Sequence, residues 1–363
     1  MKQRHFDILL FISVLSITIF GIVMIYSASY IWAEYKFNDP FKFVKAQSIF
    51  FIIGIILMII VSKIDYKLYK NKANLILLVC FLLLALVLIP GIGTIRNGSR
   101  SWFGIGGLGI QPSEFAKIGL IIYVSKYLSS NEKNIKYIIK GILPIFIVIG
   151  IFFLLIMLEP DFGTGFVMVV TLVAIIFISG VKLGFFVKLG LAAIVGIVCL
   201  IIAAPYRMAR IVSYLNQWVD PLGSGFQIIQ SLYAIGPGGI LGQGFLNSRQ
   251  KHFYLPEPQT DFIFSIISEE FGFLGVLIVT SLFLFIFTRC LKISKNSNDL
   301  FAKFLSFGLG FGILIQTTIN LMVVVGLIPV TGVTLPFLSY GGSSLLVSMS
   351  SIGIILNISR NNK

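Results

Sequence analysis

The sequence predicts an all-α membrane protein, a polytopic bundle of ten transmembrane helices with a large extracellular loop. Three observations lead to this class: 57% of the 363 residues are hydrophobic, only 12% are charged, and the apolar residues are gathered in long runs. A helix needs about 20 apolar residues to cross a bilayer, and the runs do not alternate as barrel strands do. The ten runs lie at about 7–30, 46–62, 73–90, 112–128, 139–158, 162–180, 187–204, 262–288, 303–327 and 340–358.

We expect residues 1–363 to form one integral membrane domain. The first run follows a basic start and ends near Ser27–Ala28–Ser29, as a signal peptide does, but it is long and nine more runs follow, so we predict a first helix. The fifth and sixth runs are separated only by a tight turn at 159–161. Residues 205–261 separate the seventh and eighth runs, and polar loops of this length are usually functional or disordered. We therefore predict a large extracytoplasmic loop at 205–261.

The net charge of +14 orients the chain in the membrane and does not indicate nucleic-acid binding. With ten spans both termini lie on one side, and the loops on that side hold most of the 28 lysine and arginine residues. The positive-inside rule then predicts cytoplasmic termini beside anionic membrane lipid. Acidic residues have little influence on topology, so the outward position of most of the 14 carboxylates indicates chemistry at the outer face.

The sequence argues against a nucleotide cofactor. It contains no G-x-x-x-x-G-K-[ST] motif and no Gly–Lys dipeptide, which disfavours an ATP-driven pump. The glycine-rich stretch 236–244 lacks dinucleotide-loop spacing, and we predict a close-packed turn or hinge. Two histidines and three cysteines in apolar runs do not suit a zinc site. A divalent ion would be Mg²⁺ or Mn²⁺, held by carboxylates and substrate phosphates.

The strongest candidate site begins where LPEPQTDF (255–262) enters the eighth run. A polar stripe on one helical face predicts a wet cavity, because ionisable groups inside a membrane bundle usually face cavities or partners. The alternative is that Thr260 or Asp261 only caps the helix. Glu270 points to the other side, where we expect a structural ion pair. The stripe consists of Asp261, Ser265, Ser268, Glu269 and Gly272.

A second candidate lies at the start of the fourth run, in QPSEFAK. Glu114 and Lys117 are spaced i, i+3 and can pair. They either contact substrate or fix helix packing, and the sequence leaves both open. Trp102 lies just before them in a glycine-rich loop with two arginines, which suits a sugar or an anionic head group. It can equally be an interfacial anchor.

A third candidate is the basic pair Arg207 and Arg210 in the large loop. Arginine forks suit phosphate, although both side chains can instead reach lipid head groups. The segment 329–344, which precedes the last run, is rich in small residues. We predict a re-entrant or broken-helix entrance there.

Five strings in this order resemble the SEDS family of bacterial shape, elongation, division and sporulation proteins. The likeness extends over essentially the whole chain and is greater to the FtsW and SpoVE branch than to the RodA branch. The strings are NGSRSWFGIG, IQPSEFAK, DPLGSGFQIIQSLYAIGPGG, LPEPQTDFIFSIISEE and GLIPVTGVTLPFLSYGGSS.

The resemblance implies a peptidoglycan glycosyltransferase that polymerises lipid II into glycan strands at the outer face of the cytoplasmic membrane. It also implies a class B penicillin-binding protein as partner. The family's essential aspartate maps to Asp261 and its essential tryptophan to Trp102. We expect Asp261 to be the catalytic base and Arg207 and Arg210 to bind the pyrophosphate.

The other predicted substrate-binding residues are Glu114, Lys117, Ser265 and Glu269. Two further hypotheses stay open at this point. A lipid II flippase also needs an outward cavity with charge inside the bundle, whereas a division scaffold would leave the outward charges unexplained.

Overall fold

The computed structural model describes residues 6–361, apart from 97–98, 105–108, 134, 136, 203–207, 209–213, 215–220, 222 and 224. The predicted all-α class is confirmed. A two-stranded hairpin, β1 (Thr94–Arg96) and β2 (Ser99–Trp102), is the sheet within these residues, and the sequence did not predict it. The helices are α1 (Ile8–Phe37), α2 (Lys42–Lys63), α3 (Tyr66–Val87), α4 (Pro112–Ser130), α5 (Leu143–Leu158), α6 (Phe162–Ile178), α7 (Leu183–Ile202), α8 (Phe226–Ile235), α9 (Ile263–Lys295), α10 (Leu300–Val324) and α11 (Gly342–Asn361).

Seven helical segments in the described part of the chain are long and apolar enough to cross a membrane. They are α1, α2, α3, α5 together with the π-helical turn Ile138–Ile142 before it, α9, α10 and α11. The other three predicted spans coincide with α4, α6 and α7. α4 is too polar for this group, since it carries Glu114 and Lys117 in its first two turns, yet both residues are buried.

The centre of the bundle is formed by α4, α10 and α11. α4 packs against α3, α6 and α10, while α11 packs against α2 and α10. The outward faces of α1, α2, α3 and α9 expose large aliphatic and aromatic side chains. Exposed apolar faces around a packed interior suit helices that meet lipid.

Both ends of the chain lie at the same end of the bundle. The Asp7 N–H donates to Ser359 Oγ (3.2 Å), and Arg289 Nη2 pairs with Asp7 Oδ2 (2.6 Å). Beside them, the Tyr66 N–H donates to Asn357 Oδ1 (3.0 Å), which joins the turn before α3 to the last helix. The described residues nearest the two termini therefore lie at the same end of the bundle, and the cytoplasmic placement of the termini stays a prediction.

Helix α9 is interrupted at Gly272, whose φ of 61° is outside the helical region. A side chain there would clash with the backbone, because its Cβ would lie 2.7 Å from the Ile240 carbonyl carbon. The glycine-rich stretch is thus the close-packed turn predicted from the sequence, inserted into a broken helix. Four backbone bonds join the two: Gln243 N to Glu269 O (2.9 Å), Gly244 N to Glu270 O (3.0 Å), Phe273 N to Gly239 O (2.9 Å) and Leu274 N to Ile240 O (3.1 Å).

Candidate active site

The candidate site lies at the end of the bundle opposite the termini, around the non-helical segment 329–341. This segment joins α10 to α11, and most of its later part is buried. It is tied to the residues just before α9, since Ser339 Oγ donates to the Thr260 carbonyl (2.6 Å) and the Tyr340 N–H to the Gln259 carbonyl (2.8 Å). The predicted broken entrance is therefore an irregular but well-anchored wall.

Asp261 lies in the turn before α9 and is half-buried. Its carbonyl accepts a bond from Asn320 Nδ2 (2.7 Å). Its carboxylate faces Gly332, where a Cβ would lie 3.8 Å from Asp261 Oδ2. Gly332 has a φ of 75°, so the backbone itself favours the residue without a side chain here.

The helix start lies close to the residues predicted to cap it. α9 begins at Ile263 with Phe262 as the N-cap residue, and Phe262 makes no side-chain cap bond. Thr260 instead donates its hydroxyl to the Glu257 carbonyl (2.8 Å). The position of Asp261 is thus set by the site's wall as much as by the helix start.

Glu114 and Lys117 form the predicted ion pair, with Lys117 Nζ 2.9 Å from Glu114 Oε1. Lys117 also donates to Gln316 Oε1 on α10 (2.8 Å). Gln316 Nε2 in turn donates to the Thr334 carbonyl (3.0 Å). The pair therefore both fixes helix packing and reaches the wall of the site, so the two alternatives are not exclusive.

A cavity of about 40 Å³ lies beside this ion pair, within the bundle. Such a volume holds one or two water molecules. Its polar lining comes from Glu114, Lys117, Thr171, Gln316, Ser348 and Ser351.

The turn between α5 and α6 brings two further carboxylates to this end. Asp161 accepts bonds from Gln111 Nε2 (2.9 Å) and from the Thr164 N–H (3.1 Å), which caps α6. The Ser99 hydroxyl donates to the Glu159 carbonyl and so fastens the β-hairpin to this turn. The sequence predicts only a tight turn here, so the hydrogen bonds of these two carboxylates are a new finding.

Glu159 is fully buried, and neither carboxyl oxygen has a hydrogen-bond partner among the described residues. Burial raises the pKa of Glu159 to about 9, and the nearby Asp161 adds to the rise. Burial raises the pKa of Asp161 as well, against the bonds from Thr164. A buried carboxyl without a partner among the described residues favours its protonated form.

Trp102 ends β2 and is half-buried, and its carbonyl accepts the Thr94 hydroxyl (3.0 Å). The same hairpin carries Ser99, which is bonded to the α5–α6 turn. Arg207 and Arg210, predicted to bind pyrophosphate, lie outside the described residues.

Ser265 and Glu269 hold the large loop in place. Ser265 shares a hydrogen bond with Ser231 of α8 (2.7 Å). Glu269 accepts bonds from Ser248 Oγ (2.5 Å) and the Arg249 N–H (2.7 Å). Contact of either residue with substrate stays a prediction, since the structure groups both with the loop and not with Asp261.

Glu270 forms the predicted structural ion pair, with Lys251 Nζ at 2.9 Å from Oε1 and both side chains fully buried. The Ser27 hydroxyl adds a bond to the same carboxylate (2.6 Å). The sequence predicted an ion pair but not its partner, because Lys251 lies on the preceding loop.

A divalent ion would need to be held mostly by substrate. Within the described residues, no three His, Cys, Asp or Glu side chains gather as a metal site. Mg²⁺ commonly uses one or two carboxylates together with phosphate oxygens and water.

The chain is similar to proteins of one family along nearly its whole length. Residues 7–363 match the family model of FtsW, RodA and SpoVE, described as cell cycle protein. Stage V sporulation protein E of Bacillus subtilis is 51% identical over 359 residues, which cover 99% of this chain and 98% of that protein. The probable peptidoglycan glycosyltransferase FtsW of Geobacter sp. strain M18 is 40% identical over 358 residues, 99% and 98% of the two chains.

Solved structures show the same fold. A chain from a peptidoglycan synthase complex, studied for how it coordinates polymerization and crosslinking, matches with a TM-score of 0.80 and 30% identity over 98% of both chains. The Rod shape determining protein RodA of Thermus thermophilus matches with a TM-score of 0.72 and 26% identity over 98% and 97%.

Proposed function

The chain belongs to the FtsW/RodA/SpoVE family of bacterial membrane proteins, the SEDS family, and we propose that it polymerises lipid II at the outer face of the cytoplasmic membrane with Asp261 as the base. Its relatives and structural matches show that it is a peptidoglycan glycosyltransferase. One observation carries the proposal for Asp261. Its main chain is fixed by Asn320, while its carboxylate faces the open backbone of Gly332.

In the proposed reaction, Asp261 accepts the proton of the acceptor 4-hydroxyl as that oxygen attacks the anomeric carbon of the growing strand. The bond to the lipid pyrophosphate breaks, and a single inversion converts the α-linked donor into a β-linkage. Arg207 and Arg210 would meet the negative charge of the departing pyrophosphate. A bound Mg²⁺ or Mn²⁺, held by Asp261 and phosphate oxygens, would add positive charge there.

We further propose ten membrane crossings with cytoplasmic termini. The apolar runs that match α4, α6 and α7 supply the three crossings beyond the seven long apolar helices. The end that carries Asp261, Asp161 and Glu114 would then face outside, where lipid II polymerisation takes place. A class B penicillin-binding protein would crosslink the strands that leave this face.

The lipid II flippase remains the alternative from another class. Transport would need a path for a disaccharide pyrophosphate through the bundle. The cavity beside Lys117 has a volume of about 40 Å³, which suits water and not a sugar head group. A larger cavity of about 410 Å³ beside Cys80 is lined almost entirely by apolar side chains, which do not suit a charged head group. This favours an enzyme that acts at one face.

The test uses the protein purified together with its penicillin-binding partner and incubated with lipid II and Mn²⁺. Asp261→Asn should lose about 10²–10⁴-fold in polymerisation rate, the typical cost of removing a general base. Asp39→Asn changes a partly exposed carboxylate at the same end of the bundle; it is the matched control and should retain the rate.

Equal rates for wild type and Asp261→Asn would direct the search for the base to Glu114 or Asp161. No strands from the wild type, with lipid II movement in liposomes, would favour the flippase.

A further inference from the structure

Two carboxamide side chains on α10 point to the wall of the proposed active site. Gln316 and Asn320 are one helical turn apart and are 5% and 1% exposed. α10 is otherwise a mainly apolar helix at the centre of the bundle. Buried amides in such a helix need partners, and the NH₂ groups of these two donate to backbone carbonyls of other segments, whereas Asn320 Oδ1 has no partner among the described residues.

Asn320 joins two segments that are far apart in sequence. Its Nδ2 donates to the Asp261 carbonyl (2.7 Å) and to the Val333 carbonyl (2.8 Å). The residue before Val333 is Gly332, which faces the Asp261 carboxylate. A single NH₂ group therefore sets the distance between the proposed base and the wall opposite it.

Gln316 connects the same wall to the buried ion pair. Its Oε1 accepts from Lys117 and its Nε2 donates to the Thr334 carbonyl, next to the carbonyl that Asn320 holds. The amide thus uses its acceptor toward α4 and its donor toward the wall. No other side chain of similar length offers both at once without changing charge.

We propose that Gln316 and Asn320 are positioning residues of the glycan polymerase, which hold the 332–334 backbone against Asp261 and couple it to the Glu114–Lys117 pair. The inference rests on the proposed function of Asp261. The two amides act through the backbone and do not touch the reacting atoms. Displacement of a reacting group by about 1 Å can cost on the order of 10²-fold in rate.

The decisive variant is Asn320→Asp, which has nearly the same shape. A carboxylate there would face two carbonyl oxygens and donate to neither, whereas the protonated acid regains one donor. The charged neighbours, Asp261, Glu114 and Lys117, are unchanged. The rate of the variant should fall by at least about tenfold at pH 7.5 and recover relative to wild type as the pH is lowered toward 5.5.

The control is Thr318→Ala on the same helix, an exposed hydroxyl bonded only to its own helix at the Leu314 carbonyl (2.9 Å). It should retain the wild-type rate at every pH. Gln316→Glu is the second variant, because it keeps an acceptor for Lys117 but loses the donor to Thr334. We expect it to lower kcat with little change in KM.

The experiment measures lipid II polymerisation across this pH range and amide hydrogen exchange of residues 331–341 in the same preparations. Faster exchange in Asn320→Asp than in Thr318→Ala, with recovery of rate at low pH, supports the proposal. A rate ratio to wild type that does not change with pH, or wild-type exchange in both amide variants, overturns it.

An inactive wild type with intact exchange would instead count against the proposed function. The exchange comparison between the variants would then judge the positioning role alone.

Discussion

Two buried lysine–glutamate pairs have the same length and different surroundings. Lys251 and Glu270 are 2.9 Å apart with both side chains fully buried, and Lys117 and Glu114 are also 2.9 Å apart with 10% and 7% of their side chains exposed. The first pair joins the large loop to α9, and Ser27 of α1 adds a bond to its carboxylate. The second lies within α4 and borders a small cavity.

The difference shows that the other contacts of a carboxylate, more than the ion pair itself, indicate its role. Glu270 has its oxygens saturated by Lys251, Ser27 and the Ser248 N–H, so the pair is a staple between three segments. Glu114 accepts a bond from Lys117, and the same lysine also donates to Gln316. We therefore expect the Lys251–Glu270 pair to stabilise the fold and the Lys117–Glu114 pair to affect the geometry of the active site.

The largest effect is expected from Lys251→Ala. It leaves Glu270 as a buried charge without its cation, which costs about 3–5 kcal/mol of folding free energy. Thermal unfolding in detergent should show a large loss of melting temperature. Lys251→Met combined with Glu270→Gln should recover most of it, because no charge is then buried. A Lys251→Ala variant as stable as wild type would contradict a stabilising role for this ion pair.

Lys117→Met should lower activity strongly while lowering stability only slightly, the opposite of what we expect for Lys251→Ala. The site wall loses its link through Gln316, so polymerisation should fall by on the order of 10²-fold. The melting temperature should change much less than in Lys251→Ala, since Glu114 borders a cavity that can admit water. A variant that unfolds as readily as Lys251→Ala but retains full specific activity would remove the contrast between the pairs.

Glu159 differs from Glu114 and Glu270 because it is a buried carboxyl without a hydrogen-bond partner among the described residues. Its pKa is raised from 4.5 to about 9, so the folded state holds this proton more tightly than the unfolded chain. Its contribution to stability is complete below about pH 4.5 and is lost as the pH rises toward 9. Glu159→Gln should flatten this decline by about 1–3 kcal/mol, measured as melting temperature from pH 5 to 9. An unchanged slope would show that Glu159 is charged and paired.

The smallest effect is expected at Asp39, a partly exposed carboxylate paired with the exposed Lys45 at 2.9 Å. The bond from Lys45 holds the pKa of Asp39 below its usual value, so any contribution is present at neutral pH and lost only in acid. Exposed pairs contribute little, and salt screens them. Asp39→Asn should leave the melting temperature unchanged at pH 7 in physiological salt. A clear decrease would mean that exposure is a poor guide to the other carboxylates.

The apolar runs predicted the helices because lipid requires long uninterrupted helical segments. Asp261 and the Glu114–Lys117 pair were also accessible to sequence reasoning, since each is a charged residue at a helix start. Gln316 and Asn320 were not, because they bond to backbone carbonyls, which leave no pattern in the sequence. Glu269 shows the converse, since its helical face gave no sign that its oxygens anchor residues 248–250, and its contact with substrate stays a prediction.

The broken helix α9 has a consequence for biosynthesis. Its unpaired carbonyls and N–H groups around Gly272 are completed by residues 239–244, which precede it in the chain. When α9 leaves the ribosome, residues 239–244 have already been synthesised. The hydrogen-bonding partners of the broken helix are therefore present when it inserts. A permuted chain with α9 ahead of residues 239–244 would have to hold four polar backbone groups without these partners in the hydrocarbon core, at several kcal/mol each. The order of segments along the chain thus protects the insertion of its most irregular helix.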